Sequence, residues 1–563
     1  MANPQGESNP ATAVAETAWF SDTIALAQPQ LVQLSPNGQF VATAVQTRLV
    51  VRSTESMETV ALFACGDEID AIEWAADSVH ILAASLKKGS LQAFRLQSTW
   101  SARIDDELTG ISACRWAPDA SAVLCTSNYS MRIIVWHIAT GVAYQIKNPK
   151  SASGMSFSPN GKLFAMLQRT DCSDTLEIFS TTTWQLLQRF AIDLSDAADF
   201  VWAASSGCVF IWNSSTKFAM MCYGLEGTVM WRYNANDTAL GIRSAILSSD
   251  GHVLAIGSCD DKVRLVNTLT GALIAELDHS LGSFVPTTTV VREQVGDASH
   301  SAVSSQFVSA SARAAAIATS GPYKVDRNAI TSLPSRPEPA ASSSSTKPAQ
   351  PVKNGVGWLL FDSGHNLLAT KHDNYPSVIW IWSTVEAELL ACVISNAPCR
   401  GAQWHPSLSQ LGLVASSNKL FVWSAREEPR TVLLNDETFK VQSIAWSADG
   451  TFALLAAADR WCLSWPTSQN AATAQQRQQQ QSAPTASVGP NSKFAAVSTG
   501  IPTENRAING RTATQFAPTT RVPTGTRSSS SVASSTSGPS ARTVSSSARP
   551  LSTSANPTGT RRV

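Results

Sequence analysis

Leu34-Ser-Pro-Asn-Gly38 and Phe157-Ser-Pro-Asn-Gly161 are copies of one phrase that recurs along the chain. The phrase opens on Trp, Phe or Leu, passes a small residue, Pro or Ala, then Asp or Asn and Gly, and runs into an apolar stretch rich in Ala. Trp116-Ala-Pro-Asp119 and Trp446-Ser-Ala-Asp-Gly450 are nearly as clear, and weaker copies begin at Trp74, Trp202, Leu247, Phe361 and Trp404. The third residues of the nine copies fall at 36, 76, 118, 159, 204, 249, 363, 406 and 448, so the steps are 40, 42, 41, 45, 45, 114, 43 and 42. Pro, Asn, Asp and Gly make tight turns for distinct backbone reasons. A turn of this kind repeated every 40–45 residues or so is the mark of a WD-type β-propeller, with one four-stranded blade per period.

Each phrase is followed by a second apolar, β-branched element. Examples are Arg132–Trp136 (RIIVW), Val263–Val266 (VRLV), Val378–Trp382 (VIWIW) and Leu420–Trp423 (LFVW). Such runs suit strands of a packed sheet. A single blade is apolar on both faces and buries itself only against neighbours, so the units must stack around a channel. The expected class is therefore all-β, with one ring of nine blades as the first reading and seven or eight blades with extra units packed outside as the alternative. Ala18-Trp-Phe20 to Leu26 precedes the first phrase and is placed to supply the outer strand of the last blade, closing the ring and removing two open sheet edges.

The 114-residue step exceeds one period and falls on a stretch that includes SRPEPAASSSSTKPAQP. Its Ser, Ala and Pro content predicts a disordered insertion over 279–353. From Thr467 to Val563 the chain again turns to Ser, Thr, Pro, Ala and Gln, with ten basic residues against Glu504 alone. The organisation expected is a flexible 1–16, blades one to six over 17–278, the insertion, blades seven to nine over 354–466, and a disordered basic tail over 467–563. Formal net charge is zero, so an acidic ring and insertion must balance the basic arm. An acidic ring argues against nucleic acid as the partner of the blades. The tail arginines, Arg511, Arg521, Arg527, Arg542, Arg549, Arg561 and Arg562, suit weak, salt-sensitive contact with an acidic polymer such as the tubulin tails of microtubules. No 18-residue apolar run and no basic-then-apolar leader is present, so neither membrane nor secretion is expected. The ten scattered cysteines form no metal-binding or disulfide spacing and are expected as reduced thiols.

No catalytic or phosphate-binding motif appears, so neither enzyme nor cofactor is expected. Trp74, Trp116, Trp202, Trp404 and Trp446 sit in the phrase, and Trp136, Trp382, Trp423 and Trp465 end a blade strand. Their place in the period assigns them to packing between blades. His405 reads as a turn residue rather than a ligand. Asp171, Asp174, Asp260, Asp261, Asp373 and Asp459 lie between second and third strands, where carboxylates hold turns; a metal would need several blades to converge. Lys371-His-Asp-Asn-Tyr-Pro376 is a polar, turn-forming string just after the insertion. It is an ordinary blade loop or a partner contact, and in the second case Asp373, Asn374, Tyr375 and Pro376 are the binding candidates.

Beyond the repeat, several strings resemble the WD-repeat protein eight family of centrosomal and spindle-pole proteins. They include RLVVRSTESM (Arg48–Met57), IEWAADSVHIL (Ile72–Leu82), MRIIVWHI (Met131–Ile138), RTDCSD (Arg169–Asp174), TWQLLQRF (Thr183–Phe190), LGIRSAILSSDGHVLAIGSCDDKVRLVN (Leu240–Asn267) and GVGWLLFDSGHNLLATKHDNYPSVIWIW (Gly355–Trp382). The resemblance spans roughly 20–465. It implies a non-enzymatic adaptor of the cytoplasm and cytoskeleton, at centrosomes, spindle poles and basal bodies. There it would join a coiled-coil pole protein to a minus-end-directed kinesin, anchor microtubule minus ends, organise the spindle and support cilium assembly. The alternative is an RNA- or translation-associated scaffold, since large single-ring propellers also occur there, although a net acidic ring disfavours it. The chain departs from the family in three ways: the blade strands lack the terminal Trp-Asp pair, the fifth unit (Trp202 to Tyr223) is degenerate, and the basic tail has no counterpart.

Overall fold

The computed structural model describes residues 19–465 except 106–109, 152, 215–216, 235–239, 294–322, 327–332, 335–353, 435 and 437. All of these belong to the first of two units, Met1–Ala513; the second, Thr514–Val563, lies outside the described residues. Nine sheets, antiparallel but for one parallel pair, follow one another along the chain. The first blade, Val32–Leu34, Phe40–Val45, Arg48–Ser53 and Thr59–Ala64, sets the pattern. Its strands pair in simple sequence order, the innermost first. The degenerate fifth unit is a full blade as well, Ala197–Trp202, Cys208–Asn213, Met220–Gly224 and Val229–Tyr233, with Phe210, Trp212 and Tyr223 buried.

The ring is closed by the segment before the first phrase. Trp19–Phe20 pairs antiparallel with the last strand, Arg460–Trp465, placing Trp19 opposite Trp465, and Ile24–Ala25 extends the pairing to Trp461 and Arg460. Ser21 adds two bonds to Leu463: its N–H donates to the carbonyl at 3.0 Å and its hydroxyl accepts the N–H at 2.9 Å. The core lies between blades. Leu454, Ala456, Trp461 and Leu463 of blade nine share one cluster with Val41, Leu49 and Val51 of blade one and Ile72 and Trp74 of blade two. Equivalent clusters fill the later seams, such as Leu91, Ile111, Trp116 and Val123 between blades two and three. Contact from each blade to the next, and from ninth to first, fixes the number at nine rather than seven or eight.

The insertion is not strandless throughout. Thr289–Glu293 runs parallel to Leu389–Ile394, the outer strand of blade seven, and Tyr323–Asp326 pairs antiparallel with Thr289–Glu293, making that sheet six-stranded. The expectation of disorder from residue 279 is corrected for this stretch. Val290 and Val291 are buried, and the buried Glu293 accepts the Lys419 ammonium of blade eight at 2.8 Å and the Asn396 N–H at 2.9 Å. The β-branched run Thr287–Val291 is the signal that composition averaged away.

Candidate functional site

The phrase builds one end of every blade. In its sharpest copies Ser35, Ser158 and Ser447 are buried; each hydroxyl donates to Asn37, Asn160 or Asp449 at 2.6–2.7 Å and accepts the N–H of Phe40, Leu163 or Phe452. Gly38, Gly161 and Gly450 follow at φ near +70°, a conformation glycine adopts without strain. The same phrase stitches blades together. The indole N–H of Trp74 donates to the Gln33 carbonyl, that of Trp116 to Glu73, Trp202 to Ser156, Trp404 to Leu360 and Trp446 to Gln403, all at 2.9–3.3 Å. Every acceptor precedes the aromatic position of the preceding blade. Of the strand-end tryptophans, Trp382, Trp423 and Trp465 are buried, whereas Trp136 is half-buried. His405 sits in the same layer: its Nε2–H donates to the Gly450 carbonyl at 2.9 Å, its Nδ1 accepts the Ser407 and Leu408 N–H groups, and burial lowers its pKa.

The other end of the blades, where second strands turn into third and blades connect, is chemically irregular. One polar cluster there joins blades six and seven. Trp382 Nε1–H donates to Thr370 Oγ1 at 3.0 Å, and Thr370 Oγ1 meets His279 Nε2 at 2.7 Å. His279 Nδ1 reaches the Asp261 carbonyl at 3.1 Å. Burial, then the neighbouring His372, holds the His279 pKa down to about 3, so this chain of bonds contains a neutral imidazole. Asp261, held at φ +66°, also receives His372 Nε2 at 2.6 Å. Beside it, Arg264 contacts Asp260 at 2.6 Å and Glu276 at 3.1 Å and lies over the Phe218 ring. Burial would raise the Asp260 pKa, but bonds from Arg264 and Ser258 outweigh it and the carboxyl stays low.

The candidate contact loop borders this cluster and is partly exposed except at His372, which is buried. Asp373 pairs with Arg243 of blade six at 3.1 Å. Tyr375 packs on His372 and Trp380, with ring centroids 5.4 and 5.8 Å away. The Pro376 carbonyl accepts the Cys399 N–H at 2.9 Å. Three of the four candidates therefore hold the ring as well as facing solvent. Asn374 spends its N–H on His372 Nδ1 at 3.0 Å, and among the described contacts its side chain is not engaged.

The remaining acidic candidates serve turns and seams. Asp171 and Cys172 adopt positive φ in their turn, and Asp459 pairs with Arg460 at 2.9 Å. Asp174 is buried where blade four meets blade five, with Lys150 reaching it and Asp196 at 2.8 Å each and Arg169 reaching Asp196 at 2.7 Å. Two innermost-strand acids escaped sequence reasoning. Burial lifts the Glu73 pKa to about 7, against the Arg115 charge and the Trp116 N–H, and lifts that of Asp199 to about 6, against the Phe200 N–H. A lone acid in an inner strand carries no sequence signal; only the approach of the next blade desolvates it. Among the described residues no three His, Cys, Asp or Glu side chains are grouped to hold a metal, and no helix is long and apolar enough to cross a membrane. The tail arginines lie outside the described residues.

Nine four-stranded blades, stitched by repeated indoles and closed by an N-terminal strand, define a WD-repeat β-propeller, a class that generally serves as a protein-binding scaffold. The chain is 32% identical over 440 residues to WD repeat-containing protein WRAP73 of Mus musculus, which covers 77% of this chain and 93% of that protein. It belongs to that family, the WD-repeat protein eight family. It is also 20% identical over 462 residues to an uncharacterized WD repeat-containing protein of Schizosaccharomyces pombe (strain 972 / ATCC 24843), across 77% of this chain and 89% of that one. No family model matches the chain. Among solved structures it is similar to the C-terminal WD40 domain of Sif2, with a TM-score of 0.42 and 9% identity over 79% of this chain and 98% of that one.

Proposed function

We propose that this propeller is a spindle-pole and centrosomal adaptor, joining a coiled-coil pole protein and a minus-end-directed kinesin and so anchoring microtubule minus ends. The observation that carries the reading is the 32% identity to WRAP73 across 77% of the chain, together with the strings that resemble the centrosomal family. The irregular blade six–seven end, with the ordered start of the insertion beside it, supports a contact surface there. Basal-body work in cilium assembly, and a salt-sensitive grip of the tail on microtubules, belong to the same proposal.

A fluorescent fusion expressed in dividing cells tests it. Focal signal at spindle poles is the expected result, with co-purification of a coiled-coil protein. A fusion that stays diffuse throughout mitosis overturns the reading. Within the loop, Asn374→Arg is the informative variant, because Asp373 and Tyr375 also hold blades together. It should weaken the co-purification while leaving the melting temperature unchanged.

A further inference from the structure

We propose that the seam between blades nine and one is a socket for an indole side chain presented by a peptide segment of a partner protein. At five seams the phrase places a Trp, and its N–H reaches the carbonyl of the residue preceding the aromatic position in the blade before. Blade one has Leu34 at that position, and the corresponding carbonyl belongs to Ala445. A cavity of 360 Å³ opens there, lined by Val32, Leu34, Pro36, Ile444, Ala445 and Leu454 among others. It falls within the range of pockets that hold small ligands, about 300–1,000 Å³. Phe157 and Phe361 keep an aromatic ring at this position; Leu247 packs into a cluster that holds Trp231, Tyr233 and Phe210.

A second observation shows that this seam is looser. A β-carbon placed on Gly38 would stand 3.7 Å from its nearest neighbours, on Ser447 and Ala448 of blade nine. At the same turn position the distances across the preceding seam are 3.2 Å for Gly161, 2.7 Å for Gly251 and 2.2 Å for Gly450. Of these four turns the one beside Leu34 has the most room; Leu247 also lacks the indole, but its turn at Gly251 is tight. The occupant must come from outside. Of the chain's seventeen Trp residues, sixteen have side chains among the described residues, and Trp19 is held by its backbone pairing with Trp465 on the last strand. The other five seams give the cast of what fits: a flat bicyclic ring against aliphatic walls, with one N–H aimed at a backbone carbonyl. The inference stands apart from where in the cell the protein acts.

The test uses the full chain and N-acetyl-5-fluorotryptophanamide, observed by fluorine NMR. Saturable binding with a Kd on the order of 1 mM is expected for a fragment of this size. Leu34→Trp fills the socket from within. It should weaken binding by at least about tenfold and leave the melting temperature equal or raised. If Leu34→Trp fails to fold, Ala448→Phe, on the exposed turn at the cavity mouth, should weaken binding in the same way. No saturable binding to the wild type, or equal binding to the wild type and a folded Leu34→Trp protein, overturns the proposal. Binding that appears only after residues 1–18 are removed assigns the socket to the chain's own N-terminus and also overturns it. So does concentration-dependent self-association that Leu34→Trp abolishes, which assigns the socket to a second copy.

Discussion

Replacing Glu73 by Gln should stabilise the protein at alkaline pH and leave it nearly unchanged at pH 5. Glu73 lies on the innermost strand of blade two, where its carbonyl accepts the Trp116 indole and its carboxylate the Trp116 N–H. The other carboxylate oxygen, Oε2, is buried with no hydrogen-bond partner. Blade eight makes the same tie with a neutral side chain: Gln403 Oε1 accepts the Trp446 N–H at 2.9 Å, and its carbonyl takes the indole. Burial raises the Glu73 pKa from 4.5 to about 7. A carboxyl raised in the folded state holds its proton longer there than in the unfolded chain. Its penalty is therefore absent below about pH 4.5, grows between about 4.5 and 7, and is complete above about 7. At 1.36 kcal/mol per pH unit the shift corresponds to about 3 kcal/mol. Part of the side chain meets water, and screening reduces the figure to about 2 kcal/mol. Melting temperatures of wild type and Glu73→Gln, measured from pH 5 to 8.5, should converge at the acid end and diverge above pH 7 in favour of Gln. A constant difference across that range, or a variant that loses stability only at high pH, would refute the argument.

Trp446→Ala should cost about 3–5 kcal/mol by opening the seam between blades eight and nine. Trp446→Phe, which keeps a ring but loses the bond to Gln403, should cost about 1–2 kcal/mol; equal melting temperatures for wild type and Trp446→Ala would place this side chain outside the core. Val291→Asp places a charge at a fully buried position of the insertion strand. It should raise amide hydrogen exchange in Thr289–Glu293 and Leu389–Ile394 while the inner strands of blade seven keep their protection; unchanged exchange in both segments would remove the parallel pairing.

What the sequence made legible is what repeats. The turn phrase located nine blades because Ser, Asn or Asp and Gly are each required by local backbone geometry, and its spacing placed the stitching tryptophans without reference to any partner. Closure by Trp19–Phe20 was legible because a ring with two open edges needs a strand to join them. Residues whose environment comes from far along the chain were not. Asp373 meets Arg243 across 130 positions, and the loop string alone cannot separate that structural role from partner contact. Thr289–Glu293 pairs with Leu389–Ile394 about a hundred residues later, and a short β-branched run in a Ser/Ala/Pro background looks like linker until its neighbour is known.

Recognition by a ring of near-identical blades has to come from where the repeat is broken. A phrase that places the same Ser, Gly and indole at seam after seam offers a partner several equivalent positions and no register among them. Three places break that equivalence. One is the blade six–seven end, where ordinary turns give way to the ion pairs of Arg243 with Asp373 and of Arg264 with Asp260 and Glu276, and to the contact of the buried His372 with Asp261. Another is the rim of blade seven, where two added strands cover the edge that other blades leave open. The third is the seam at Leu34, with a 360 Å³ cavity where five other seams hold a Trp. The first two adjoin each other on blade seven; the third lies between blades nine and one, two blades further around the ring and at the phrase end of the blades, opposite the six–seven cluster. A single extended partner reaching both regions would be held in one orientation. Asn374→Arg and Leu34→Trp should then weaken its binding to an extent that is not the product of the separate effects, whereas two independent partners would each respond to one variant alone.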